Sequence, residues 1–168
     1  MILHAKDPHN NLLPPSYKDD AGYDLKADSK PNVIGHQLND HYWKYIDYIE
    51  YDTNVLIAPH SLAPIVSLLF PRSSISRYNL SLANSVGVID KGYRDTIKVR
   101  FNYLAQADDY RVIGDFLAIE PSLDRIYKRG DKIAQLIFSS PLYPEIEKVA
   151  SINEQSERAT GGFGSSGT

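Results

Sequence analysis

Cysteine is absent from the 168 residues, which excludes a disulfide framework, a thiol nucleophile and a Cys-ligated zinc site. The same absence excludes the zinc-dependent nucleobase deaminases, whose metal needs Cys ligands. Positive charge is not in excess: 18 Lys and Arg stand against 21 Asp and Glu, a formal net charge of −3. A broad footprint on nucleic-acid phosphates is therefore not expected, and any anionic ligand has to be met by local positive charge. Long apolar runs are missing too. The longest, Leu62 to Phe70, is interrupted by Pro64 and Ser67 and is about half the ~20 residues of a membrane-spanning helix. The opening Met1-Ile2-Leu3-His4-Ala5-Lys6-Asp7-Pro8 lacks the basic stretch, apolar core and small-residue cleavage site of a secretory signal. A cytoplasmic protein without membrane contact is expected.

Helical periodicity is equally scarce, and what is present favours strands. Thr96 to Leu104 alternates, with Ile97, Val99, Phe101 and Tyr103 on one face and Lys98, Arg100 and Asn102 on the other, the pattern of a half-buried strand. Similar short runs at Asn54 to Ala58, Pro64 to Phe70 and Lys132 to Phe138 are separated by Pro, Gly, Asn and Asp. The length suits one domain with a real core, and an all-β sandwich or barrel follows. Two segments stay open. His41 to Tyr51 reads as an amphipathic helix or as a strand with alternating rings, and Ala105 to Lys128 as a long connection or an extended hairpin. Residues 156–168 are rich in Gly and Ser, the composition of a mobile arm. The five histidines show no metal-ligand spacing and are expected at the surface.

Five segments carry the chemistry: Ala21-Gly22-Tyr23-Asp24-Leu25, Pro71-Arg72-Ser73-Ser74, Gly87-Val88-Ile89-Asp90-Lys91-Gly92-Tyr93-Arg94, Gly130-Asp131-Lys132-Ile133-Ala134-Gln135, and Arg158 followed by Gly162-Phe163-Gly164-Ser165-Ser166-Gly167. In this order they resemble the five motifs of the trimeric dUTPase family, from Ala21 to Gly167. The last segment also fits a dinucleotide fingerprint, but that motif opens a helix after a strand, and here one residue follows it. Its glycines let backbone amides approach a polyphosphate, with Ser165 and Ser166 as hydroxyl donors and Arg158 as a bidentate cation.

The resemblance implies a jelly-roll-like distorted β-barrel over residues 1–155, forming a homotrimer with shared active sites that arm 156–168 closes. It implies hydrolysis of dUTP to dUMP and pyrophosphate, keeping uracil out of DNA, with Mg2+ as cofactor. Asp90 would orient and deprotonate the water that attacks the α-phosphorus; considered alone, it could equally be a turn residue before Lys91-Gly92. Arg158 would act beside it. Tyr93 would pack on the deoxyribose and exclude a 2′-hydroxyl. The hairpin from Asn84 through Val88 would read uracil with backbone groups. Arg72, Ser73, Ser74 and Gln135 would hold the phosphates, joined by Gly164, Ser165 and Ser166, and Phe163 would close over the base. Asp24 would hold Mg2+ through water; its plain alternative is a turn residue, and that of Arg72 a surface ion-pair partner.

The family's glycine after Tyr-Arg is Asp95 here, and the one after the tail arginine is Ala159. The segment at about 31–51 looks longer than the family needs and is a candidate insert, acidic and rich in aromatics, where a regulatory protein partner could bind. The nearest rival is dCTP deaminase, a related fold resembling the chain at Pro71-Arg72-Ser73-Ser74 and Ile89-Asp90. Those enzymes place a glutamate base where this chain has Arg100, and a guanidinium cannot abstract a proton from water.

Overall fold

The computed structural model describes residues 2–62 and 64–151. In chain order its strands are β1 (Ile2–Lys6), β2 (Leu12–Leu13), β3 (Tyr23–Lys26), β4 (Asn32–Gln37), β5 (Trp43–Asp52), β6 (Leu56–His60) and β7 (Val66–Pro71). They continue as β8 (Leu80–Leu82), β9 (Gly87–Asp90), β10 (Lys98–Tyr103), β11 (Tyr110–Ile113), β12 (Phe116–Ile119) and β13 (Lys132–Ser139). Helical structure among these residues is limited to two short 3-10 turns, Ser73–Arg77 and Ala107–Asp109. No helix among them is long and apolar enough to cross a membrane. The fold is all-β, as the alternating patterns require.

Two sheets build the body. A five-stranded sheet runs β2-β3-β13-β7-β9, and a six-stranded one runs β11-β12-β5-β10-β8 with β4 on the other edge of β5. The strands β1 and β6 form a separate antiparallel pair. Within β10 the expected alternation holds: Val99 and Phe101 are buried while Lys98, Arg100 and Asn102 are exposed. Their inner faces meet in a core that includes Leu25, Ile49, Tyr51, Phe101, Tyr127, Ile133 and Leu136, all essentially sealed from solvent. Each such side chain contributes about 1.5–3 kcal/mol by leaving water. Tyr51 sits at the centre, edge-on to Phe101 with ring centroids 5.9 Å apart, and its hydroxyl donates to the Tyr127 carbonyl at 2.8 Å. Burial pushes the Tyr51 phenol well above its ordinary range, so it remains a neutral donor.

The two open segments resolve through pairing. His41 to Tyr51 contributes to a strand, because β5 pairs with β10 along one edge and β4 along the other. Those ladders satisfy backbone groups that a lone helix would have to satisfy within itself. Gly35 is required where β4 crosses β5: a Cβ there would lie 2.3 Å from the Tyr45 carbonyl oxygen, at a break in register between Ile34 and Gly35. Residues 105–128 contain a hairpin, β11 to β12, closed by Gly114 at φ +60° and Asp115. Positive φ at such a two-residue turn is the geometry glycine supplies without steric cost. The five histidines are all exposed; His4 stacks on His60, and His9 bonds to Asp28 at 2.9 Å.

Candidate active site

Four of the five segments fall within the described residues, and the five-stranded sheet carries them. Asp24 is on β3, Gln135 on β13, Arg72 immediately follows β7, and Asp90 ends β9. Arg158, Phe163, Gly164, Ser165 and Ser166 lie outside the described residues.

The first, second and fourth segments converge. Gln135 is the cross-strand partner of Asp24 on one side and of Phe70 on the other, and its amide donates to the Pro71 carbonyl at 3.5 Å. Arg72 Nε contacts Asp24 Oδ1 at 2.8 Å, and Lys132 Nζ contacts Asp24 Oδ2 at 2.8 Å. The ion-pair alternative for Arg72 is thus realised, with Asp24 as the partner. Two cations on one carboxylate leave the cluster with a surplus positive charge. Lys132 was not singled out from the sequence, because simple alternation would put it on the opposite face from Gln135. A break in register between Lys132 and Ala134 inserts the odd residue that brings both to the same face. Ser73 and Ser74 follow Arg72 in the 3-10 turn. Nearby, Tyr127 is buried with no hydrogen-bond partner for its hydroxyl among the described residues, and burial pushes that phenol up to about 12.

The third segment builds a different place. A pocket of about 400 Å3 is lined by Asn84 just before this segment, by Gly87, Val88, Asp90 and Tyr93 within it, and by Lys98 and Arg100 from β10. The hairpin tip turns at Ser85, φ +58°, and returns as β9 along β7. Gly87 allows that contact: a Cβ there would lie 3.1 Å from Leu69 Cβ and 3.4 Å from the Asn84 side-chain nitrogen. After β9 the Tyr93 amide donates to the Asp90 carbonyl at 3.0 Å. The turn is therefore closed by the Asp90 backbone, and its exposed carboxylate is left to the pocket. Tyr93 is fixed by its hydroxyl donating to the Thr96 carbonyl at 3.0 Å, while Arg94 donates to the Lys91 and Tyr93 carbonyls. Asp95 has no positive φ, so no glycine is needed at that position.

The β10 ladder supplies the remaining wall. Ile97 exchanges its backbone bonds with Thr53 and Val55 on the β5 side, whereas the Arg100 carbonyl accepts from the Ala83 amide. Alternation then turns the backbone groups of Lys98 and Arg100 toward the pocket side.

The two places are far apart within one chain. Asp90 stands opposite Val66 at the start of β7, and Arg72 follows its far end. Six residues of strand at about 3.3 Å each separate them by roughly 20 Å.

The family model described as dUTPase matches residues 9–108 and 122–167. The chain belongs to the dUTPase family. The deoxyuridine 5'-triphosphate nucleotidohydrolase of Mycobacterium sp. (strain JLS) is 36% identical over 121 residues, covering 68% of this chain and 67% of that one. That of Mycolicibacterium vanbaalenii is 35% identical over the same length. Among solved structures, the Staphylococcus bacteriophage 80alpha dUTPase with dUPNHPP superposes with a TM-score of 0.69 at 25% identity over 99% of both chains. The dUTPase of phage phi11 of S. aureus superposes with a TM-score of 0.62 at 23% identity, over 92% of this chain and all of that one. As a dUTPase the chain is a dUTP diphosphatase. The family model runs through 31–51 and passes over 109–121, the stretch that holds β11 and β12.

Proposed function

We propose that this dUTPase cleaves dUTP between the α- and β-phosphates at a site that two or more copies of the chain assemble, as a homotrimer. The separation of Asp90 from Arg72 along β7 carries this reading. The triphosphate of one nucleotide is shorter than that separation, so the base-side and phosphate-side groups of one copy do not serve one nucleotide. A pocket presenting Asp90 and Tyr93 from one copy, facing Arg72, Ser73, Ser74 and Gln135 from another, does.

In that arrangement the uracil ring enters the pocket between the Asn84 to Val88 hairpin and β10, and the sugar rests on Tyr93. The ring of Tyr93 is pinned through its hydroxyl, so it does not yield to a 2′-hydroxyl. Asp90 accepts a proton from the water that attacks the α-phosphorus in line, and pyrophosphate leaves toward the cationic cluster. Arg72 has Nε engaged by Asp24, which aims its Nη groups as a fork for phosphate oxygens. Arg158, Phe163, Gly164, Ser165 and Ser166 cover the bound nucleotide from the arm, Phe163 on the base and the others on the phosphates.

Magnesium fits the donor set on the phosphate side. Among the described residues no three ligating side chains come together to hold a metal alone. An ion that keeps much of its water and takes oxygens from the triphosphate needs only one carboxylate nearby, and Asp24, whose two oxygens are already engaged by Arg72 and Lys132, would reach it through a bound water. Bound there with substrate, Mg2+ would offset the charge of the leaving pyrophosphate. The setting is the cytoplasm, which suits a chain that uses no disulfide.

Subunit mixing tests the shared site. Asp90→Asn and Arg72→Ala chains are each inactive in pyrophosphate release. Unfolded together and refolded at equal amounts, they regain activity, because random assortment restores about one site in four. A mixture as inactive as its parents sinks the shared site, and a wild-type chain inert toward dUTP with Mg2+ sinks the whole reading.

A second role concerns a protein partner at the edge formed by 31–51. The β11–β12 hairpin is joined to that segment through Ile119 and Trp43 and presents Val112, Phe116 and Leu117 to solvent. An exposed apolar group of this kind is a docking feature rather than a core one.

A further inference from the structure

Beyond β9 the chain makes a four-residue turn, Asp90 to Tyr93, and little packs against it. Residues 92–95 are exposed, and a Cβ added to Gly92 would meet nothing within 4 Å. Most side-chain bonds here stay local: Arg94 donates to the Lys91 and Tyr93 carbonyls, and the Tyr93 hydroxyl donates to Thr96. Such bonds keep the shape of the turn without attaching it to the body. Lys91 is the exception among the described residues from 91 to 95. Its half-buried side chain donates from Nζ to the Ser61 carbonyl, 30 positions earlier in the chain. Ser61 directly follows β6, and Val66, where β7 begins, is the cross-strand partner of Asp90. The β6–β7 connection therefore holds Asp90 twice, at its backbone through Val66 and at the next side chain through Ser61.

We propose that Lys91 is a positioning residue for Asp90: by tying the turn to Ser61 it fixes the direction from which the carboxylate meets the attacking water. The proposal rests on the reading of Asp90 as the general base. The strand β9 is an edge strand, paired with β7 alone, so its last residue has a neighbour on one side only. Without the tether, the turn that follows is free to swing and to carry the Asp90 carboxylate with it. A general base has to stand within about 2.6–3.2 Å of the proton it takes, and a misplacement of about 1 Å can cost on the order of 10²-fold in rate. An ammonium on a main-chain carbonyl suits this task. It is a charge-assisted bond, stronger than one between neutral groups, and it grips the backbone of the connection itself. A supporting group of this kind acts on the rate without touching the nucleotide.

The test measures kcat and KM for dUTP by pyrophosphate release in the full-length protein, in Lys91→Met, Lys91→Arg and Asp90→Asn, and in Lys91→Met combined with Asp90→Asn. Lys91→Met keeps the apolar stem and removes the donor, so kcat falls by roughly tenfold at an unchanged KM. Its melting temperature stays near that of wild type, because the turn is exposed. Lys91→Arg still brings N–H donors to the Ser61 carbonyl and keeps most of the rate. In the Asp90→Asn background Lys91→Met costs nothing further, since Lys91 acts only through the carboxylate. An unchanged kcat in Lys91→Met overturns the proposal. So does a higher KM at constant kcat, which would place the ammonium on the nucleotide, and so does a loss of rate matched by a loss of thermal stability. A Lys91→Arg as slow as Lys91→Met, or a further tenfold loss in the combined variant, overturns it as well. Failure of the general-base reading looks different, because Asp90→Asn would then itself turn over dUTP normally.

Discussion

Asp24, Arg72 and Lys132 meet on the inner strands of the five-stranded sheet already joined by ion pairs, whereas Asp90 stands on the edge strand β9 with its carboxylate exposed to a pocket. The phosphate side is preorganised: Asp24 is largely buried and both cations are oriented by it before any nucleotide arrives. The base side is a hairpin whose wall depends on a close approach at Gly87 and a braced turn at Asp90 to Tyr93. Charge that develops during reaction is best met by groups that need no rearrangement. The chemical base, by contrast, has to stay accessible to water. The two sides therefore differ in how they respond to damage.

The largest effect is expected on the base side. Asp90→Asn removes the proton acceptor with little change in shape. It should lower kcat by about 10²- to 10⁴-fold while equilibrium binding of a non-hydrolysable dUTP analogue stays near wild type. Matching losses of affinity and rate would instead make Asp90 a binding group. On the phosphate side, Asp24→Asn leaves Arg72 and Lys132 facing each other without their shared anion. Because the cluster is only partly buried, a stability loss of about 1–2 kcal/mol is expected, read as a lower denaturation midpoint together with weaker Mg2+ activation. An unchanged midpoint would mean that the cluster is not prepaid by its own ion pairs.

Smaller still, Gly87→Ala forces β9 and β7 apart by a few tenths of an ångström. It should raise the KM for dUTP several-fold with a small change in melting temperature, since an edge strand can give way. The smallest effect lies away from both sides. Burial raises the Asp28 carboxyl, but its hydrogen bonds to His9 and Arg129 outweigh that and hold it below the usual carboxylate range. A lowered folded value means stability that is present above the ordinary pKa of about 3.9 and is lost as pH falls through the folded one. Asp28→Asn should therefore flatten the acid limb of the unfolding curve below about pH 4 and leave neutral-pH activity alone.

Much of this was readable from residues alone, for reasons that differ along the chain. The strand at β10 is legible because one of its faces meets the core and the other water, and the five ordered segments point to the family to which the chain belongs. The His41 to Tyr51 segment could not be resolved, because its choice between helix and strand depends on β4 and β10, which pair with it from either side in space. Lys132 escaped notice because its facing depends on a bulge, and a single inserted residue leaves no periodic trace. Arg100 falls by counting at the position of the deaminase glutamate, yet its ion pair with Glu50 and its stacking over the Tyr48 ring come from a strand about fifty positions earlier in the chain. The separation of Asp90 from Arg72 was hidden in the same way: their spacing in sequence is modest, and only the pairing of β9 with β7 sets them at opposite ends of one strand.

The position of β13 between β3 and β7 has a consequence for how the enzyme comes into being. Asp24, Arg72 and Lys132 are contributed by widely spaced parts of the polypeptide, and the central strand that joins them is the last in chain order among the described residues. A growing polypeptide on the ribosome can pair β4 with β5, but it has no anion-binding cluster until β13 has emerged. Chains cut short before that strand are thus left without the means to grip a triphosphate, whatever else they have folded.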